Sequence, residues 1–286
     1  MKKILVTGAN GQLGRCIQDA AADFPDLEYV FLSKENLDIE NFDFLKDFFS
    51  KNTFDYCINT AAYTNVEKAE TEKDTAFAIN AEAVKNLAQI CAESEVVLIH
   101  ISTDYVFDGK KQSPYIETDP TNPINVYGAS KLLGEQYIQE ICKKHYIFRT
   151  SWLYSQYGHN FLKTILKYSQ EGKPLAITTE QTGTPTNAND LARMILQVIE
   201  QDKADYGVYH YSNAGETTWY GFAAEILRQT GKLKEANLAK TNHYRTFAAR
   251  PNYSVLDNTK AQNKLDLEYM DWGESLKSVL IKTVIS

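Results

Sequence analysis

Short, almost uninterrupted apolar runs recur along the first half of the chain, separated by longer stretches of helical period. Residues 3–7, 28–32, 55–60, 96–101 and 145–150 are rich in β-branched and apolar side chains, as strands buried on both faces of a parallel sheet must be. Helices are predicted over 12–24 and 72–94, with another starting near Asn41. Strand and helix in regular turn predict an α/β fold, a doubly wound parallel sheet. Beyond residue 150 the alternation loosens, leaving an amphipathic run over 190–200 and a helix over 219–231 that ends in glycine. No internal repeat or low-complexity linker interrupts the chain.

The turn after the first strand reads Gly8-Ala9-Asn10-Gly11-Gln12-Leu13-Gly14. Gly8 and Gly11 let the backbone approach a pyrophosphate, Gly14 lets the next helix pack closely, and the helix start supplies amides to the anion. This is a Rossmann-type dinucleotide cradle, with the spacing Gly-x-x-Gly-x-x-Gly instead of the commoner Gly-x-Gly-x-x-Gly. At the end of the second strand, where an NAD site places a carboxylate for the ribose diol, stand Ser33 and Lys34. A hydroxyl and a cation suit a 2′-phosphate, so NADPH is preferred over NADH, with Glu35 as the alternative partner for a diol. Asp38 and Ile39 cover the adenine, unless Asp38 caps the following helix. The third strand delivers Ala61, Ala62, Tyr63 and Thr64 to the sheet edge, small enough in part to admit the ribose phosphates. Asn80 is polar where the period expects a buried residue; it either holds a backbone group near the site or is solvated.

Composition narrows the function. The 286 residues are 43% apolar and 23% charged, with 30 basic against 37 acidic side chains and a formal charge of −7. No basic run follows a phosphate backbone, which argues against nucleic acid as a partner. No apolar run approaches the roughly 20 residues of a membrane helix. Met1-Lys2-Lys3 passes straight into a strand too short for a signal-peptide core, so a cytoplasmic protein is expected. Cys16, Cys57, Cys91 and Cys142 lie far apart and read as buried reduced thiols.

The candidate chemistry lies at Asn125-Val126-Tyr127-Gly128-Ala129-Ser130-Lys131. Four residues of helix stack Tyr127 and Lys131 on one face, and a cation beside a phenol favours the phenolate, as a general acid for a carbonyl oxygen requires. The fourth strand delivers Thr103, Asp104 and Tyr105 to the same edge, where Thr103 can donate a hydrogen bond to that oxygen. His100, inside the strand, reads as a core histidine.

Strand, glycine turn, helix, further strand and helix units, then Tyr-x-x-x-Lys after Thr103, resemble the extended short-chain dehydrogenases/reductases. Ser102-Thr103-Asp104-Tyr105-Val106-Phe107-Asp108-Gly109, Pro123-Ile124-Asn125-Val126-Tyr127-Gly128, Arg149-Thr150-Ser151-Trp152, Gln181-Thr182-Gly183-Thr184-Pro185-Thr186 and Arg250-Pro251 resemble, over nearly the whole chain, the dTDP-4-dehydrorhamnose reductase family. The resemblance implies NADPH-dependent reduction of a dTDP-sugar at its C4 keto group, the last step of dTDP-rhamnose synthesis. It implies an NAD(P)-binding domain over 1–150, rejoined by part of 187–212, and a mostly substrate-binding domain over 151–286. Tyr127, Lys131 and Thr103 would be catalytic. Thr103, Asp104, Tyr105, Tyr127, Trp152, Asn160 and Arg250 would meet the substrate, although Trp152 also reads as core. Tyr127 and Lys131 would join Gly8, Asn10, Gly11, Gln12, Leu13, Gly14, Ser33, Lys34, Asp38, Ile39, Ala61, Ala62, Tyr63 and Thr64 around the cofactor.

Two alternatives remain open: a redox-neutral epimerase or dehydratase, and a non-catalytic regulatory subunit. Asp104-Tyr105 lacks the second acid that dehydratases carry there, and the intact Thr103, Tyr127 and Lys131 argue against a regulatory subunit. Some members of the family bridge dimers through Mg²⁺ held by glutamates at positions that here are Cys16 and Asn189. No metal is therefore expected, and the protein should be a monomer or a metal-independent homodimer.

Overall fold

The computed structural model describes residues 1–242 and 246–285. In chain order the first half runs β1 (Lys2–Thr7), α1 (Gln12–Ala20), β2 (Leu27–Leu32), α2 (Phe42–Lys51), β3 (Tyr56–Asn59), α3 (Val66–Ala69), α4 (Lys73–Phe77), α5 (Ala83–Glu93), β4 (Val97–Thr103), α6 (Val126–Ile141) and β5 (His145–Thr150). The strand Gly207–His210 joins these five in a parallel sheet, pairing with β5. The order is Gly207–His210, β5, β4, β3, β1, β2. The chain leaves β1 towards β2 on one side and β3 on the other, which opens a crevice at the carboxyl ends of the strands where the order reverses.

Helices cover both faces, because the strands are apolar on both. Leu13, Cys16 and Ile17 of α1 share a core with Leu191, Ile195 and Ile199 of the helix Ala188–Gln201. On the other face Leu45 and Phe49 of α2, Leu87 of α5 and Ile138 of α6 close over Leu5, Leu98 and Ile147. A separate apolar cluster, including Tyr154, Leu162, Leu175, Phe222 and Leu276, is built entirely from later segments. Ala261 and Leu265 of the helix Thr259–Leu265 return to the α1 side of the sheet. The four cysteines are buried and free.

Several boundaries shift by a residue or two, and three departures from the sequence pattern are informative. The α-helix after the glycine turn stops at Ala20 and tightens into a 3₁₀ turn, Ala21–Asp23, ahead of Pro25. β4 runs on to Thr103, so that residue ends the strand instead of following it. The stretch predicted as one helix over 72–94 is broken by a π turn, Ala78–Glu82, between α4 and α5. That widened turn carries Asn80, which is fully buried.

One buried ion pair anchors α6 to the sheet. Arg149 on β5 donates through Nε and Nη2 to both carboxylate oxygens of Glu135, and Ser102 on β4 donates to the same carboxylate. Glu135 is 0% exposed, so the arrangement holds only with all these partners in place.

Candidate active site

A cavity of about 590 Å³ opens above the carboxyl ends of the sheet and is lined by the start of α1, the ends of β3, β4 and β5, Tyr127 and Lys131 of α6, and Trp219 and Arg250 from later segments. The sheet order thus brings together residues that the sequence pattern had to connect across more than a hundred positions.

The cofactor end is built by close backbone approach. Gly8 sits at φ +65°, and a Cβ there would lie 2.7 Å from the amide nitrogen of Ala61. Only glycine allows β1 and the loop after β3 to meet this tightly. Thr7 Oγ1 donates to Asn59 Oδ1 at 2.7 Å, and Thr60 Oγ1 donates to the Thr7 carbonyl at 2.7 Å, locking the two strand ends. A Cβ on Gly14 would meet Ala9 at 2.7 Å, so this glycine serves helix packing. Gly8, Asn10, Gly11, Lys34, Asp38, Ile39, Ala61 and Ala62 line a second pocket of about 260 Å³ beside the cradle. Gln12, Leu13 and Thr64 line the larger cavity. A cradle that a single Cβ would fill, continuous with a pocket carrying a lysine, fits a dinucleotide.

Two of the expected cofactor contacts are committed elsewhere. The Ser33 hydroxyl donates to Asn36 Oδ1 at 2.9 Å and does not line the pocket. The Tyr63 hydroxyl donates to Glu72 at 2.7 Å, and Tyr63 lines neither pocket although its neighbours Ala62 and Thr64 line the larger one. Asn80 holds the Tyr63 backbone from both sides, accepting from Tyr63 N at 2.9 Å and donating to Tyr63 O at 3.0 Å. Lys34 is present, but Glu40, which sequence reasoning passed over, sits 2.6 Å from its Nζ and raises its pKa, with Asp38 adding to the effect. Helix α2 is capped by Asn41, so Asp38 is not its N-cap.

At the reacting end, Asn125 caps α6 by accepting from Gly128 N at 2.7 Å, and a Cβ on Gly128 would lie 2.1 Å from the Tyr105 carbonyl. The helix therefore rests directly on the turn that carries Thr103–Tyr105. Burial raises the Tyr127 phenol above its ordinary pKa; a hydrogen bond with Thr103 opposes this, while Asp104 and Tyr105 add to it. Lys131 is not among the groups acting on the phenol. Its Nζ donates to Ile101 O at 2.6 Å and lies 3.1 Å from His100 Nε2, so the cation expected beside the phenol is directed into the sheet. Burial pushes Lys131 down to about 8, against a smaller opposing pull from Glu135. Thr103 donates to Asp104 Oδ1 at 3.0 Å and accepts from Tyr105 N at 3.1 Å. Burial also raises Asp104 to about 6, and its Oδ2 has no hydrogen-bond partner.

The far wall comes from the later segments. Trp152 adopts φ +46° and stacks on Trp219, with ring centroids 3.7 Å apart and planes 9° from parallel. Gly183 makes room for that indole, since a Cβ there would lie 2.6 Å from Trp152 Cε2. Asn160 borders the cavity, but its side chain is occupied: Oδ1 caps the helix Phe161–Gln170, and Nδ2 donates to Gln12 Oε1, Ser155 O and Tyr157 O. Its position organises the loop. Arg250 donates through Nη1 to the Tyr105 hydroxyl at 2.9 Å and pairs through Nη2 with Glu67 of α3, leaving Nε without a partner. Glu67, Trp219 and Asn59 were invisible to sequence reasoning, because each acquires its place only through contacts distant in the chain.

Cys16 and Asn189 offer no carboxylate. Burial pushes the Cys16 thiol up to about 12, and the neighbouring Asp190 turns inward to Asn213 and Ser275. Among the described residues there is no group of three or more His, Cys, Asp or Glu side chains arranged to hold a metal ion. No helix among them is long and apolar enough to cross a membrane.

Comparison with known proteins agrees with this geometry. The family model for the RmlD substrate binding domain matches residues 1–285. The chain is 39% identical to the dTDP-4-dehydrorhamnose reductase of Escherichia coli K12, covering 97% of this chain and 96% of that protein. Among solved structures, a dTDP-4-dehydrorhamnose reductase from Clostridium acetobutylicum superposes with a TM-score of 0.92 at 40% identity, covering 98% of this chain and 99% of that one. The enzyme of the same name from Bacillus anthracis, solved in complex with NADP, gives a TM-score of 0.93 at 36% identity, covering 99% of both chains.

Proposed function

The chain belongs to the RmlD substrate binding domain family, and on that premise we propose that it reduces the C4 keto group of dTDP-4-dehydro-L-rhamnose to dTDP-L-rhamnose with NADPH, the last step of dTDP-rhamnose synthesis. The observation that carries this reading is the convergence of Thr103, Tyr127 and Lys131 on one cavity that also borders the glycine cradle.

Bound at the glycine cradle, NADPH would supply the hydride for the sugar C4. Tyr127 gives its phenolic proton to the oxygen that becomes the alcohol, and Thr103, hydrogen-bonded to that phenol, turns its hydroxyl to the same oxygen. Lys131, one helical turn on from Tyr127 and lining the same cavity, would hold the nicotinamide ribose. The Trp152 and Trp219 indoles wall the deoxysugar, and Arg250, with Nε unpartnered, meets the nucleotide phosphates. The backbone amides after Gly8 and the amine of Lys34 would hold the cofactor's phosphates. The protein acts in the cytoplasm as a monomer or a metal-independent homodimer.

NADPH oxidation with dTDP-4-dehydrorhamnose, set against its UDP and GDP counterparts, tests the reading. Sustained consumption of one NADPH per sugar, fastest with the dTDP substrate, is expected. Interconversion of sugars with no net NADPH consumption would assign a redox-neutral enzyme instead. No turnover with any keto-sugar nucleotide, together with co-purification with a transferase, would assign a regulatory subunit.

A further inference from the structure

The strand register places His100 of β4 directly opposite Asn59 of β3, and both are buried to within 1%. Asn59 Nδ2 lies 3.1 Å from His100 Nδ1, and His100 Nε2 lies 3.1 Å from Lys131 Nζ. The amide of Asn59 has one usable orientation, because its Oδ1 accepts from both Thr7 Oγ1 at 2.7 Å and Ala61 N at 3.2 Å. The NH₂ group must therefore face the histidine. A donor pointing at Nδ1 requires a lone pair there, and a neutral imidazole then carries its proton on Nε2. That proton points at Lys131.

We propose that Asn59 fixes His100 as the Nε2–H tautomer, and that His100 is a positioning residue which presents an N–H to Lys131 and so favours the neutral amine over the ammonium. An amine can accept from this N–H while donating one of its own hydrogens to Ile101 O, and every polar atom in the row from Thr7 to Ile101 is then satisfied. An ammonium at the same place faces donor with donor. Lys131 is released from that conflict only if the histidine moves its proton to Nδ1, which transfers the conflict to Asn59. Burial acts in the same direction on Lys131 and keeps His100 itself from charging.

The other groups around the pair leave this balance intact. Glu135, one turn along α6, favours the ammonium but is committed to Arg149 and Ser102. Tyr127 shares the helix face, and Asp104 lies beyond Thr103. Asn80 and Ser130, on the neighbouring side of α6, are neutral and bonded to each other.

The consequence for catalysis rests on the reading of Lys131 as the amine of the reduction, whereas the tautomer does not. Two-bond ¹H–¹⁵N correlation of ¹⁵N-histidine-labelled protein, with the His100 signals assigned through their loss in His100→Gln, reads the tautomer directly. A protonated Nε2 and a bare Nδ1 from pH 5 to 9 are expected. A protonated Nδ1, or an imidazolium forming in that range, would overturn the proposal.

Asn59→Asp reverses the polarity of the row: a carboxylate accepts from Nδ1–H and turns the Nε2 lone pair towards Lys131. The histidine signal should switch tautomer, and the alkaline fall in kcat/KM should move up by about one pH unit or more. A switched tautomer with an unmoved pH profile would overturn the role assigned to His100. Wild-type protein with the expected tautomer but no NADPH-dependent turnover would refute the proposed function and leave the row itself established.

Discussion

Nζ of Lys34 lies 2.6 Å from Oε2 of Glu40, at the edge of the pocket beside the glycine cradle. A lysine meant for a 2′-phosphate thus has a carboxylate already competing for it. Lys34→Ala should weaken NADPH more than NADH, and Glu40→Gln should tighten NADPH selectively by freeing the amine. Dissociation constants for both cofactors in both variants check this. Equal changes for NADPH and NADH would make Lys34 an ordinary surface charge.

Tyr127→Phe should leave cofactor and sugar binding nearly unchanged while lowering turnover by roughly 10²–10⁴, the range for a positioned general acid. Steady-state kinetics alongside calorimetric binding separates the two effects. Turnover close to wild type would take Tyr127 out of the mechanism.

Removing one partner of a buried ion pair strands the other. Arg149→Met should therefore destabilise the fold by about 3–5 kcal/mol through the abandoned Glu135 carboxylate. Replacing both, with Glu135→Leu added, should recover much of that loss. Urea denaturation of the single and double variants measures it, and a double variant no more stable than the single would show that packing, not charge, was lost.

Asp104 gives a pH-dependent signature. Burial lifts its pKa from the ordinary 3.8 to about 6, so the folded chain holds this proton more tightly than the unfolded one. The resulting stabilisation is complete below the unfolded value and disappears as pH rises through 6, leaving a buried carboxylate with Oδ2 unpartnered. Asp104→Asn should stabilise the protein at pH 8 by on the order of 1–3 kcal/mol and give no such gain at pH 4. Denaturation midpoints at the two pH values decide it; an equal gain at both would assign the effect to something other than ionisation.

Mg²⁺ favours carboxylate and water oxygens, whereas Cys16 and Asn189 offer a buried thiol and an amide. Sedimentation and turnover should be unchanged by excess EDTA and by restored Mg²⁺. A reversible loss of mass or activity on chelation would contradict this.

The sheet and the glycine cradle were legible in the sequence because both are local. A run of β-branched residues marks a buried strand, and three glycines between strand and helix mark the cradle, although what excludes a Cβ at Gly8 is Ala61, far away in the chain. Thr103, Tyr127 and Lys131 were legible through strand ends and helical spacing. The direction of the Lys131 ammonium was not, since it depends on the register that sets Asn59 opposite His100. The Trp152 and Trp219 stack was equally hidden, being a contact across 67 positions of chain. Asn160 was legible only in part: the resemblance implied a substrate contact and the residue does border the cavity, but its engagement in a helix cap, two carbonyls and Gln12 depends on contacts that no pattern announces.

Gly183 lies behind Trp152, outside the cavity wall, yet it sets how far the indole can recede, because any larger residue would push on the ring. Attempts to broaden the sugar range by randomising only wall positions would leave out the residue that fixes the depth of the pocket. A change at 183 would advance the indole towards the substrate without introducing any new group at the surface the substrate meets. Breadth of substrate can therefore be inherited, or engineered, at a position that no ligand touches.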